Sequence, residues 1–194
     1  MRLTNFPVHL RGPMEHNLDN TIALLGRTPA ALDALLRGLP EMWTETGEGE
    51  GTWSVSTVVA HLIHAEHDDW MPRATVILQA GDTQPFPPFL RDGYVLYKQG
   101  KSLGELLVDF TKVRAQKLDE LRALHLSAED LRLTGRHPSF GAVTLSQLLA
   151  TWAAHDLTHL HQISRIMAYQ YRETVGPWTR FLGVMQCAGH SASA

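Results

Sequence analysis

The stretch LSQLLATWAAHDLTHLHQISRIMAYQYR, residues 145–172, decides the fold. Placed at ~100° per residue, Leu145, Leu149, Trp152, Leu160, Ile163 and Met167 share one face, so the segment reads as a long amphipathic helix. Three earlier segments read the same way. From Leu18 to Leu39, Leu24, Leu25, Leu32, Leu35 and Leu36 recur at helical spacing, and Thr28-Pro29 predicts a kink, or a restart with Thr28 as N-cap. Ser54 is placed to cap a second helix, in which Val58, Val59, Leu62, Ile63 and Ala65 lead towards Leu78 with a bend at Pro72. Ser102, with Glu105 three residues on, opens a third that runs to His125. Ser127 to Asp130 begins a short turn or helix.

Four such segments without an alternating strand pattern predict an all-α, antiparallel four-helix bundle. The Pro-rich stretch 81–93 and residues 134–144 are its long loops, and loops of that length often carry function. Residues 1–15 read as an irregular arm, and 1–194 as one domain with its core at about 18–182.

Composition narrows the function classes. With 44% hydrophobic and 19% charged residues and a net charge of −3, the chain is an ordinary globular one. Lys and Arg are scattered, which argues against a nucleic-acid partner. No apolar run approaches the ~18 residues of a membrane span, and no apolar region follows Met1, so a cytoplasmic protein is expected. Cys187 is the sole cysteine, which excludes an internal disulfide and a cysteine-built zinc site.

Histidine is the exception to this plainness. Six of the 11 histidines fall in two windows, 61–67 and 155–161. On the fourth helix His159 lies inside the apolar face and His155 on its edge, one turn apart, which is how one helix offers two imidazoles to one metal ion. Such pairs also arise by chance in histidine-rich chains. His161 points away, and Gln162 is placed to support His155. On the second helix His61 flanks the arc of Val58, Leu62 and Ala65, whereas His64 and His67 read as solvated. Glu66 projects into the arc, where a carboxylate needs an Arg partner from a neighbouring helix or a role in a site. Asp69 and Asp156 lean inwards as well. Three histidines with a fourth position left for water form a catalytic rather than a structural pattern.

The stretches WSVSTVVAHLIHAEHDDW (53–70) and RHPSFGAVTLSQLLATWAAHDLTHLHQISRIMAYQYRETVGPW (136–178) resemble the DinB/YfiT-like family of four-helix-bundle metalloproteins. The resemblance implies a divalent metal, zinc or nickel, bound by His61, His155 and His159. It implies homodimers and, in some branches, S-transfer or isomerisation with a low-molecular-weight thiol; other members are described as hydrolases. It also places His137 near the site. The expected function is a metal-dependent enzyme acting on a small-molecule substrate, with Glu66 or a group from residues 81–93 or 134–143 moving protons. Arg91, Arg136 and Lys98 are candidate anion contacts, and Cys187 is a poor nucleophile. The alternative is a non-catalytic metal-binding or stress-response module.

Overall fold

Two prolines set where the bundle's helices break. In a computed structural model, which describes residues 16–187, the first segment is split into α1 (Leu18–Leu25) and α2 (Thr28–Leu36), with Pro29 in the first turn of α2. Thr28 opens α2 but does not cap it. Its hydroxyl instead donates to Asp156 Oδ2 at 2.5 Å across the bundle. A four-residue α3 (Glu41–Thr44) precedes the loop to α4 (Val55–Asp68), whose first turn Ser54 caps through the Thr57 N–H. The second segment then breaks at Asp69 and resumes as α5 (Trp70–Ala80). The bend expected at Pro72 falls earlier because proline lacks an N–H and its ring clashes with the carbonyl four residues back.

The crossover from α5 to the next long helix, residues 81–102, holds a 3-10 turn at Arg91–Gly93 and α6 (Tyr94–Lys98), both too short for a periodic signal. A capping box of Ser102 and Glu105 starts α7 (Leu103–Ala123) as expected. The expectation of no strands is corrected by a small hairpin, β1 (Thr134–His137) and β2 (Gly141–Thr144), paired antiparallel with Thr134 opposite Thr144. Strands of four residues are too short to show alternation. His137 Nδ1 accepts from the Ser139 and Phe140 N–H groups in the turn, and Gly141 takes φ +74 at its exit. The last helix, α8 (Leu145–Tyr169), carries a second capping box, from Thr144 and Gln147.

The core is a four-helix bundle of α1–α2, α4–α5, α7 and α8. Val55, Val58, Val59, Leu62 and Ile63 of α4 pack with Leu106, Leu107 and Phe110 of α7 and Ile163 and Ile166 of α8. Towards the other end Trp70, Ala74 and Ile77 of α5 meet Leu145, Leu149 and Trp152 of α8. The crossover is tied to the hairpin by Phe86 N–H donating to the Arg136 carbonyl at 2.9 Å, and Phe86 is buried. Beneath its ring lies Gly135, where an added Cβ would sit 2.6 Å from Phe86 Cε1 and 2.7 Å from Ile77 Cγ1. Gly135→Ala is therefore expected to cost ~1–3 kcal/mol by overpacking. A thermal melt should show it as a Tm lowered by roughly 2–4 °C per kcal/mol. An unchanged Tm would remove this packing argument.

Candidate metal centre

Three histidines on two helices converge at mid-bundle. His61 comes from α4, and His155 and His159 stand one turn apart on α8. Their nearest nitrogens all lie within 4.8 Å of one another, with His155 Nε2 3.0 Å from His159 Nε2 and 3.2 Å from His61 Nε2. Gln162 Oε1, 2.7 Å from His159 Nδ1, holds the proton there and leaves the His159 Nε2 lone pair facing its neighbours. Gln162, expected under His155, lies against His159 instead, three residues away on the same helix.

A ring of aromatic side chains encloses the cluster. Trp53 contacts His61 at 5.0 Å and stacks near His159 at 6.5 Å between ring centres, Phe89 meets His61 at 5.8 Å, and the Trp70 ring lies 5.0 Å from His155. Burial in these walls drives the His61 pKa down to about 3, helped by His159 and His64. It drives His155 well below the ordinary range, with His159, His61 and Arg114 adding to the effect. His159 is lowered by burial too, although Gln162 and Asp156 oppose the shift. All three imidazoles are thus neutral at pH 7.

Neutral imidazoles at these distances suit a cation. A nitrogen that donates to one neighbour has no lone pair for the other, so His155 Nε2 satisfies one partner at best by hydrogen bonding. One metal ion satisfies all three. Nitrogens held at ~2.0–2.1 Å from zinc stand ~2.9 Å apart at octahedral angles and ~3.4 Å at tetrahedral ones, which brackets the 3.0 and 3.2 Å separations.

Glu66 stands apart from this cluster. It is 1% exposed, and its Oε1 accepts from Arg114 and from Trp152 Nε1, both at 2.8 Å. Burial pushes its carboxyl up, while the Arg114 charge and hydrogen bond pull it back. Asp156, the other inward carboxylate, takes both guanidinium nitrogens of Arg114, at 2.6 and 2.9 Å, so it pairs across the bundle. Arg114 was legible in principle as a charge on the apolar stripe of Phe110, Leu118 and Leu121.

His64, expected in solvent, is 3% exposed, stacked on Phe89 at 4.3 Å and facing Gly93, where a Cβ would overlap its ring. The crossover and α6 fold over a second face of α4, which a single-face helical wheel does not anticipate. His67 is exposed and stacked on Tyr97, and His161 is half-buried.

A cavity of ≈ 720 Å³ opens beside His155. Phe86, Pro87, Pro88 and Phe89 from the crossover form one wall and His137 and Phe140 from the hairpin another, which brings His137 to the site as the resemblance implied. Asp69 and Arg73 line it as an ion pair 2.7 Å apart, and burial pushes Asp69 up to about 6 against the pull of Arg73. Arg91 borders the cavity, but Arg136 is exposed on β1 and Lys98 is spent on Thr57, at 2.9 Å, and Glu45, at 3.3 Å. Cys187 is exposed, and its thiol bonds the Gly183 carbonyl at 3.2 Å.

The sequence pattern of the DinB superfamily matches residues 24–163, a span that holds all three histidines. The chain belongs to the DinB superfamily. Among solved structures, this DinB chain is similar to YfiT from Bacillus subtilis, described as "a probable metal-dependent hydrolase with an unusual four-helix bundle topology". The TM-score is 0.66 at 20% sequence identity, over 87% of this chain and 97% of that one. At that identity the likeness speaks for the fold. No curated protein matches the chain. Among the described residues of this DinB protein, no helix is long and apolar enough to cross a membrane.

Proposed function

We propose that the protein is a metal-dependent hydrolase of a small-molecule substrate, working with a zinc or nickel ion held by His61, His155 and His159. The observation that carries this reading is the convergence of three neutral Nε2 atoms beside a cavity that reaches His155. Imidazole suits both ions, and three protein ligands leave a position for substrate or water. A divalent ion there acidifies water and polarises an acyl or phosphoryl oxygen.

The chain's own residues do the rest. Trp53, Trp70 and Phe89 exclude bulk solvent from the histidines. Asp69 is the carboxylate that opens on the cavity, and a value raised to about 6 suits it to accept a proton near neutrality. Arg73 orients Asp69, and Arg91 meets an anionic part of the substrate. Glu66 acts from behind the ligands in this reading, through Arg114 and Trp152. The description of YfiT as a hydrolase points the same way. An S-transferase using a low-molecular-weight thiol is the second reading, favoured by Arg91 at the cavity border, where it would meet a thiol's carboxylate.

The metal-loaded full chain is tested on activated carboxylic and phosphate esters, and separately on electrophiles with and without thiol. Metal-dependent hydrolysis is expected, with kcat reduced ~100-fold or more in Asp69→Asn at unchanged metal content. Because the Asp69 carboxylate forms as pH rises through about 6, kcat/KM should rise over that range and lose this limb in Asp69→Asn. Turnover only with thiol selects the transferase. Silence on every substrate with metal bound overturns the enzyme and leaves the metal-binding module. Sedimentation of the same samples tests the homodimer that the family resemblance implies.

A further inference from the structure

Glu66, Arg114 and Asp156 are each 1% exposed and form one ionic triad in the bundle's interior. It links every layer of the fold. The Arg114 guanidinium of α7 bonds Asp156 of α8, Glu66 of α4 and the Leu25 carbonyl at the end of α1, and Thr28 of α2 donates to Asp156. Asp156 and Arg114 form a bidentate pair, which is neutral as a unit. Glu66 is then the surplus: its Oε1 is shared by Arg114 and Trp152, while its Oε2 is buried with no hydrogen-bond partner among the described residues. Among the described residues, the other hydrogen-bond and ring partners of the triad, Thr28, Trp152, Phe110 and the Leu25 carbonyl, are uncharged. An unbalanced buried charge is costly unless an opposite charge lies near.

The histidine cluster is the neighbour that could supply one. Asp156 follows His155 directly in sequence, and Trp152, which donates to Glu66, lies one turn before it. Trp152 stacks on Trp70 at 5.9 Å, and Trp70 in turn meets the His155 ring. Three neutral imidazoles leave a bound dication with both of its charges, so compensation has to come from beyond the ligands.

We propose that the triad is the counter-charge of the metal centre, and that Glu66 carries the surplus negative charge favouring a divalent over a monovalent ion. This rests on the metal-binding reading above. Glu66 is then a positioning and electrostatic residue, not one that touches substrate, and its attraction scales with the charge of the ion.

Glu66→Gln tests this, because the amide oxygen still accepts from Arg114 and Trp152 while the charge is gone. Affinities of wild type, Glu66→Gln and Glu66→Asp are measured for zinc and, without oxygen, for copper(I), by competition with chelators. Glu66→Gln is expected to keep the metal-free Tm within a few degrees of wild type or above it. It should lose about tenfold in zinc affinity and distinctly less for copper(I), because the lost attraction scales with the charge of the ion. Glu66→Asp, which keeps the charge, should recover part of the zinc preference. Equal losses for the two ions, or no zinc loss, overturn the counter-charge while leaving the metal site standing. A wild-type protein that takes up neither ion overturns both.

Discussion

His155→Ala is expected to abolish metal binding without unfolding the protein. His155 is the central member of the cluster, with its Nε2 3.0 Å from one partner and 3.2 Å from the other. Without it, His61 and His159 remain as a pair from two different helices, too few ligands to hold an ion against water. Loss of an outer partner alone costs 10–100-fold in metal affinity, so loss of this ligand should exceed roughly a hundredfold. The metal-free fold has little to lose. The imidazole is half-buried and neutral, and its Nδ1 has no hydrogen-bond partner among the described residues. Mass spectrometry of the purified wild type should find about one metal ion per chain, and none in the variant. A ligand at ~100 times its Kd stabilises by ~2.7 kcal/mol, so zinc should raise the wild-type Tm by roughly 5–11 °C and leave the variant unmoved. One equivalent of metal persisting in His155→Ala would remove the site as drawn.

That site was legible for a geometric reason. On α8 a spacing of four residues fixes where His155 and His159 point, and the apolar face of Leu149, Trp152 and Ile163 fixes which way is inwards. His61 was harder to place, since α4 is buried nearly all round: Val55 through Glu66 are all buried, so no single wheel face separates inside from outside. His64 was misplaced for the same reason, because α6 and the crossover that cover it carry no long periodic pattern. The hairpin escaped through brevity, and residues 134–144 read only as a loop. Tertiary partners were beyond reach of the sequence. That Glu66 needs a cation could be argued from its position, but that the cation is Arg114, already committed to Asp156, follows only from how α7 packs. The cavity is another such case: its walls come from α5, the crossover, the hairpin and α8, segments with no shared periodicity.

Removing the cation of the triad should be the most damaging single change in the bundle. Arg114→Met strands two carboxylates that are each 1% exposed, and takes away the guanidinium that lies over Phe110 at 4.9 Å and Trp152 at 5.4 Å. Breaking a buried ionic group in this way costs about 3–5 kcal/mol, or a Tm lower by roughly 6–20 °C. The loss should depend on pH, with a definite sign. Glu66 already lies above its ordinary 4.5 because burial outweighs the pull of Arg114, so the variant raises it further. Between 4.5 and the raised value the folded chain holds a proton that the unfolded chain has released, so stability falls as pH rises. Below 4.5 both states are protonated and this contribution is flat. Urea unfolding should therefore show a smaller deficit at pH 5 than at pH 8, and equal deficits would argue that lost packing, not stranded charge, is responsible. Adding Glu66→Gln and Asp156→Asn to Arg114→Met removes the stranded charges and should return much of the stability, as neutral replacements of buried ionic groups do. If zinc affinity does not return with it, the triad serves the metal more than the fold.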